Sequence, residues 1–244
     1  LFFVIIALAG PQWGVELVTT QAKSSQTFIA VDVSSSMLAE DLKPNRMQKA
    51  KNALGLLIDG LKGERIGLIA FAGEAFVQCP LTTDRAAAKS LLRRMAPGMV
   101  RQQGTNLTKA VTLASEMLNR YPGQKGIVLL TDGESHDDRA LAAAKASAET
   151  GIKLFIIGMG TPEGEPIPIK DVEGRTTGYK KDKDGKTVVS RLAERELIEL
   201  AAASGGAYYR ATVDDGEVAA VIKHISEMDK TTGQAGSRTR YKNR

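Results

Sequence analysis

The chain has 244 residues, 43% apolar and 25% charged, enough for one sizeable domain or two small ones and too apolar for wholesale disorder. A single cysteine, Cys79, excludes an internal disulfide framework and a thiolate cluster for zinc. The net charge of +5 comes from residues 230–244, which hold five Lys and Arg and no acid, leaving 28 bases against 28 acids elsewhere. A neutral body with a basic end argues against a nucleic-acid-binding face and fits a juxtamembrane tail.

The first ten residues, "LFFVIIALAG", form an apolar run with no initiator Met. Ten residues are too few to span a bilayer, which needs about 20. They lack the basic flank and cleavage site of a secretory signal. Residues 1–14 are expected to be the end of a membrane-anchoring helix that leaves at Pro11-Gln12-Trp13, with Trp13 at the interface. A hydrophobic element packed on the domain is the alternative. A polar linker is expected over residues 15–25.

Apolar runs then alternate with helical patterns. Strands are expected at Thr27–Val33, Arg65–Phe71, Ala75–Cys79, Gly126–Thr131, Lys153–Gly158 and Ala207–Arg210. Helices are expected at Arg46–Leu61, Arg85–Arg94, Leu107–Arg120, Arg139–Thr150, Glu194–Ser204 and Glu217–Asp229. In the first of these, Met47, Ala50, Leu54, Leu57, Ile58 and Leu61 recur at helical spacing. Strands separated by such helices imply an α/β, Rossmann-like, doubly wound sheet of six mostly parallel strands, with helices on both faces. The short link at Phe71–Gly73 predicts one antiparallel edge strand. Cys79 and the isolated His136 and His224 read as structural or surface residues, and Tyr208-Tyr209 as one core ring and one surface ring.

Residues 160–192 interrupt this rhythm. The segment is rich in Gly, Pro and charge, with short extended runs at Pro166–Ile169, Thr176–Lys180 and Thr187–Ser190. It predicts a surface β-hairpin insertion, with Asp184-Gly185 as a type I′ turn. The body of the domain is expected to end at residue 229, followed by the basic tail.

Three strand ends or helix starts carry coordinated polar residues. The first strand ends "DVSSS", with Asp32, Ser34 and Ser36 spaced two apart; the fourth ends "LLTDGES", with Asp132 at its tip; "QQGTNLTKA" places Thr105 before a helix. In an open parallel sheet, ligands gather at the carboxyl ends of strands. Two carboxylates and three hydroxyls supply only oxygen, which suits Mg²⁺, Ca²⁺ or Mn²⁺ and disfavours zinc or copper. The pattern D-x-S-x-S alone arises by chance about one time in twenty in a chain of this length; its position at a strand end beside the other two segments does not. Read separately, Ser36 and Thr105 could be helix caps and Asp132 a turn former. Glu134 and Asp41 are candidates for the rim of the site. Alternatively, Glu134 joins Asp137 and Asp138 as first-turn acids of the next helix and Asp41 is a solvated loop acid.

This pattern resembles the metal-ion-dependent adhesion site of von Willebrand factor type A domains, over residue 26 to about 228. The resemblance implies that Ser34, Ser36 and Thr105 bind a cation, most simply Mg²⁺, through their hydroxyls. Asp32 and Asp132 would support it largely through bridging waters, and an Asp or Glu of a protein partner would complete the shell. The flanks "LAGPQWG", "GTPEGEPIPI", "YKKDKDGKTVVSRL", "GGAYYRAT" and "RTRYKNR" look like the bacterial Bat aerotolerance family, of BatA or BatB type. That resemblance implies anchoring in the bacterial inner membrane by flanking helices, other Bat proteins and a MoxR-type AAA+ ATPase as partners, and a role in stress or aerotolerance. It also implies a periplasmic domain, whereas a basic tail preceding a membrane helix would place the domain in the cytoplasm.

Two rival functions remain. A Mg²⁺-dependent phosphotransferase or hydrolase of the haloacid dehalogenase kind needs an Asp two residues after its nucleophile, where this chain has Ser34. A scaffold with a purely structural metal site is the other. No G-x-S-x-G elbow supports serine hydrolysis.

Overall fold

The computed structural model describes residues 25–135 and 139–235. The expected membrane-helix end and almost all of the linker, together with His136, Asp137, Asp138 and residues 236–244, lie outside the described residues.

The elements follow in the order β1 (Gln26–Asp32), a 3₁₀ turn (Ser35–Leu38), α1 (Arg46–Gly60), β2 (Arg65–Phe71), β3 (Ala75–Thr82), α2 (Arg85–Arg94), α3 (Leu107–Leu118), β4 (Lys125–Thr131), α4 (Ala140–Glu149) and β5 (Ile152–Gly158). The insertion contributes β6 (Glu165–Pro166), β7 (Pro168–Lys170), β8 (Thr176–Tyr179) and β9 (Val189–Ser190); α5 (Glu194–Ala203), β10 (Ala207–Arg210) and α6 (Gly216–Ala235) follow. Side-chain caps start three of the helices. Asn45, Asp84 and Asn106 accept the backbone N–H groups of Gln48, Ala87 and Lys109, satisfying donors that the first turn leaves free. The last helix runs six residues past Asp229, into the stretch expected to be tail. Among the described residues no helix is long and apolar enough to cross a membrane.

The six-stranded sheet has the order β10-β5-β4-β1-β2-β3, parallel except for β3, which returns antiparallel along β2. Every residue of β1 is buried, as expected for a central strand covered by helices on both faces. One core layer joins Ile29, Val31 and Val33 to Leu54, Leu57 and Ile58 of α1 and to Val218, Val221 and Ile225 of α6. The opposite layer joins Phe28 and Ala30 to Val111 and Leu118 of α3 and to Leu197 and Leu200 of α5. Each such large side chain contributes about 1.5–3 kcal/mol by leaving water.

From β1 the chain winds to β2 and β3 on one side, then crosses back to β4 on the other. The carboxyl ends of β1 and β4 therefore flank the point where strand order reverses, where connections splay apart and leave a crevice. Register places Asp32 opposite Phe71 and Thr131 opposite Gly158, so the four central strands end on one rim.

In the insertion, β7 pairs with β8 and β6 with β9, both antiparallel, with a further bridge between Lys181 and Thr187. The turn at its tip is not type I′. That turn needs positive φ at two successive residues, and here only Gly185 has it, at +78°. Gly185 N–H instead donates to the Asp182 carbonyl, and Asp182 N–H to that of Lys186, the three-residue loop closed by a left-handed glycine.

Candidate metal centre

The site forms where β1 runs out into the 3₁₀ turn. Asp32 is fully buried; its Oδ1 accepts the Ser34 N–H at 2.9 Å and its Oδ2 the Thr131 hydroxyl at 2.6 Å. These bonds fold the chain back so that the Ser34 and Ser36 hydroxyls lie 2.8 Å apart. That spacing matches the edge between adjacent ligands around a six-coordinate ion with metal–oxygen distances of 2.0–2.1 Å, about 2.9 Å. Thr131, which the sequence reading passed over, also accepts the Gly133 N–H at 3.0 Å and so shapes the turn that carries Asp132. The turn requires glycine at 133: φ is +75°, and a Cβ there would sit 2.8 Å from Leu197.

Asp132 is also fully buried. Its Oδ1 accepts the Glu134 N–H at 3.2 Å, while Oδ2 accepts from Arg46 Nη1 at 2.9 Å and from the Ser190 hydroxyl at 3.1 Å. Thr105 follows Gly104, whose φ is +111°, and precedes Asn106, whose N–H is tied to the Ala72 carbonyl just past β2 at 2.7 Å. The Thr105 hydroxyl makes no hydrogen bond among the described residues. The capping alternatives fail for both residues: Asn106 caps α3, and no side-chain cap closes the 3₁₀ turn.

The principal residue missed by sequence reasoning is Arg46. Its side chain is completely buried, and its five N–H donors meet five acceptors. Nε and Nη2 form a fork on the two Asp41 oxygens at 2.8 and 2.7 Å; Nη1 reaches Asp132 at 2.9 Å and Ser190 Oγ at 2.6 Å; Nη2 also reaches the Ser190 carbonyl at 3.1 Å. Gly160 makes room for it, since a Cβ at that position would lie 2.7 Å from the guanidinium carbon. Asp41 is consequently not a solvated loop acid. Its side chain is 5% exposed and committed to Arg46 and to the Thr161 N–H at 2.9 Å. Burial opposes its charge, but the Arg46 and Thr161 bonds outweigh this and hold its carboxyl below the ordinary range. Glu134 precedes α4 by several residues and is not a first-turn acid; its carboxylate accepts the Arg191 N–H at 2.7 Å.

The insertion is therefore packed over the site. Thr161 and Ser190 bind Asp41, Arg46 and Asp132, Lys170 pairs with Glu40 at 2.5 Å, and Lys180 donates to the Ser35 hydroxyl at 2.5 Å. Elsewhere, Cys79 is buried in β3, His224 shares a 2.7 Å hydrogen bond with the Tyr209 hydroxyl, and both tyrosines of β10 are partly buried, one against each core layer.

Charge is unbalanced at the centre. Asp32, Asp41 and Asp132 are three carboxylates against one guanidinium, Arg46, an excess of two negative charges if all ionise. Asp32 meets only neutral donors. Burial, and then the Asp132 carboxylate, push its carboxyl up to about 7 against the pull of the Thr131 and Ser34 hydrogen bonds. A hard divalent cation would match the excess charge and the all-oxygen donors. Among the described residues no three His, Cys, Asp or Glu side chains are placed to share a metal, so a cation here would rest on hydroxyls.

The von Willebrand factor type A domain family matches residues 27–134, the segment from β1 to the Asp132 turn. The UPF0353 protein of Nocardia farcinica is 31% identical, over 96% of this chain and 72% of its own length. The chain spans 55% to 72% of such curated relatives. Among solved structures, the conserved hypothetical protein BatB of Bacteroides thetaiotaomicron is 39% identical with a TM-score of 0.81, over 85% of this chain and all of that one. An aerotolerance-related membrane protein of Bacteroides fragilis is 36% identical with a TM-score of 0.77, over the same shares. With identity sustained across the whole described domain, this chain belongs to the bacterial Bat aerotolerance family of von Willebrand factor type A domain proteins.

Proposed function

We propose that the domain holds a divalent cation, Mg²⁺ in the simplest case, and uses it to capture an Asp or Glu carboxylate on a protein partner. Ser34, Ser36 and Thr105 would hold the ion through their hydroxyls, with Asp32 and Asp132 supporting it from behind. The observation that carries this reading is the cluster of buried carboxyl groups, Asp32, Asp41 and Asp132, served by one guanidinium and lying beside two hydroxyls at a coordination-edge spacing. Neutral hydroxyl ligands offset little of the ion's charge, so it keeps an appetite for one more anionic oxygen. This is a recognition device rather than a chemical one. In the cell, the domain acts at the bacterial inner membrane, on its periplasmic side. It works with other Bat proteins and a MoxR-type AAA+ ATPase in a stress or aerotolerance complex.

Isothermal titration of Mg²⁺ into the wild-type domain is expected to show saturable binding that Asp32→Ala abolishes with the far-UV spectrum retained. Co-purification from detergent-solubilised membranes, with and without Mg²⁺, then identifies partners. Partner binding that survives both Asp32→Ala and chelation would falsify the reading. Mg²⁺-dependent turnover of a phosphate ester by the same sample would favour the phosphotransferase alternative.

A further inference from the structure

The insertion places one cation on the rim in a way that the metal reading leaves unused. Lys180 follows β8, and its ammonium reaches back to Ser35, the residue between the two hydroxyl ligands, donating to Oγ at 2.5 Å. Ser35 has no part in the cation cup, yet its side chain seats this lysine. The lysine is half-buried and, among the described residues, has no carboxylate partner; its one contact is a neutral hydroxyl. Two other cations of the insertion already have carboxylate partners, Lys170 with Glu40 and Arg175 with Asp171 and Glu173. An ammonium has three N–H donors, and the bond to Ser35 uses one of them and leaves its charge uncompensated.

We infer that Lys180 is a specificity residue of the metal site, the second contact for the carboxylate that the cation captures. A carboxylate has two oxygens, and a metal that takes one leaves the other facing the rim. An ammonium on the residue between the metal's hydroxyl ligands supplies a donor and a positive charge on that side. The chosen ligand is then an acidic side chain, in preference to a backbone carbonyl or a hydroxyl, which carry no charge for Lys180 to meet. The insertion is what gives the site this selectivity, since it alone carries the lysine over the rim. The inference rests on the cation reading above.

The test uses Mn²⁺ as a paramagnetic substitute for Mg²⁺, which favours the same oxygen ligands, and acetate as the probe for an acidic side chain. Electron paramagnetic resonance measures Mn²⁺ binding, and relaxation of ¹³C-labelled acetate measures carboxylate entering the metal's shell. Lys180→Met is expected to weaken acetate binding about three- to tenfold, the scale of one partly exposed charge pair, without weakening Mn²⁺ binding. Lys180→Arg is expected to restore acetate affinity. Ser35→Ala, which keeps the charge and loosens its seat, is expected to give a smaller loss. Equal acetate affinity in wild type and Lys180→Met overturns the inference while leaving the metal site standing. Absence of Mn²⁺ binding in the wild type overturns the cation reading and this inference with it. Mn²⁺ binding without acetate relaxation in the wild type removes carboxylate capture and this inference with it, while the cation site stands.

Discussion

Arg46 is the residue on which the site's architecture depends most, and Arg46→Met isolates its contribution. The substitution keeps a long side chain and removes five hydrogen bonds at once. It leaves Asp41 and Asp132, 5% and 0% exposed, without their cation. Breaking a buried pair by removing one partner costs about 3–5 kcal/mol, most of it the cost of the charge left behind. For a domain of this size each kcal/mol moves the melting temperature about 2–4 °C, so thermal denaturation followed by circular dichroism is expected to shift down by roughly 6–20 °C. Adding Asp41→Asn removes one of the stranded carboxylates and is expected to recover part of that loss non-additively. Mg²⁺ should raise the melting temperature of Arg46→Met more than that of the wild type, because a bound cation replaces the charge Asp132 has lost. A loss below about 1 kcal/mol, the range of an exposed ion pair, would refute the claim that Arg46 balances buried charge.

Ser36→Ala removes one hydroxyl of the cup and is expected to lower Mg²⁺ affinity at least tenfold by calorimetry; unchanged affinity would exclude Ser36 as a ligand. The metal-free protein has its own pH signature. The Asp32 carboxyl is raised from 3.8 to about 7, so the native state retains a proton that the unfolded chain gives up. The stability this contributes is complete below pH 3.8 and is lost progressively as pH rises to about 7, amounting to about 4 kcal/mol between the two limits. In chelator, urea denaturation of the wild type is expected to lose stability between about pH 4 and 7 relative to Asp32→Asn; a constant difference would show that Asp32 carries no charge conflict. Gly160→Ala forces a side chain against the Arg46 guanidinium at a φ of +129° and is expected to cost about 1–3 kcal/mol by denaturation; a neutral result would mean that the loop yields freely.

Sequence alone determined the sheet, the helices and the polar strand ends, because each of these is written in neighbouring residues. Buried strands appear as uninterrupted apolar runs, helices as a 3.6-residue period, and Asp32, Ser34 and Ser36 as three consecutive alternate positions at one strand end. Asp132 and Thr105 were legible as the corresponding ends of other segments. Local pattern also misled at Asp184-Gly185, where a dipeptide typical of one turn is used in another, since the backbone of residue 184 is set by its neighbours' pairing. The guanidinium of Arg46 meets Asp132 and Ser190 across 86 and 144 residues of chain. In sequence it is one more polar residue at the start of an amphipathic helix. Asp41 read as a loop acid for the same reason, and Thr131 as the end of an apolar strand. Lys180 was indistinguishable from the other lysines of a charged hairpin until the fold laid that hairpin over Ser35. Which polar groups are buried together depends on what the tertiary structure excludes from water, and no local period records it; the fold made one arginine a clamp on two aspartates, set Asp32 among neutral donors and laid one hairpin lysine on a serine hydroxyl.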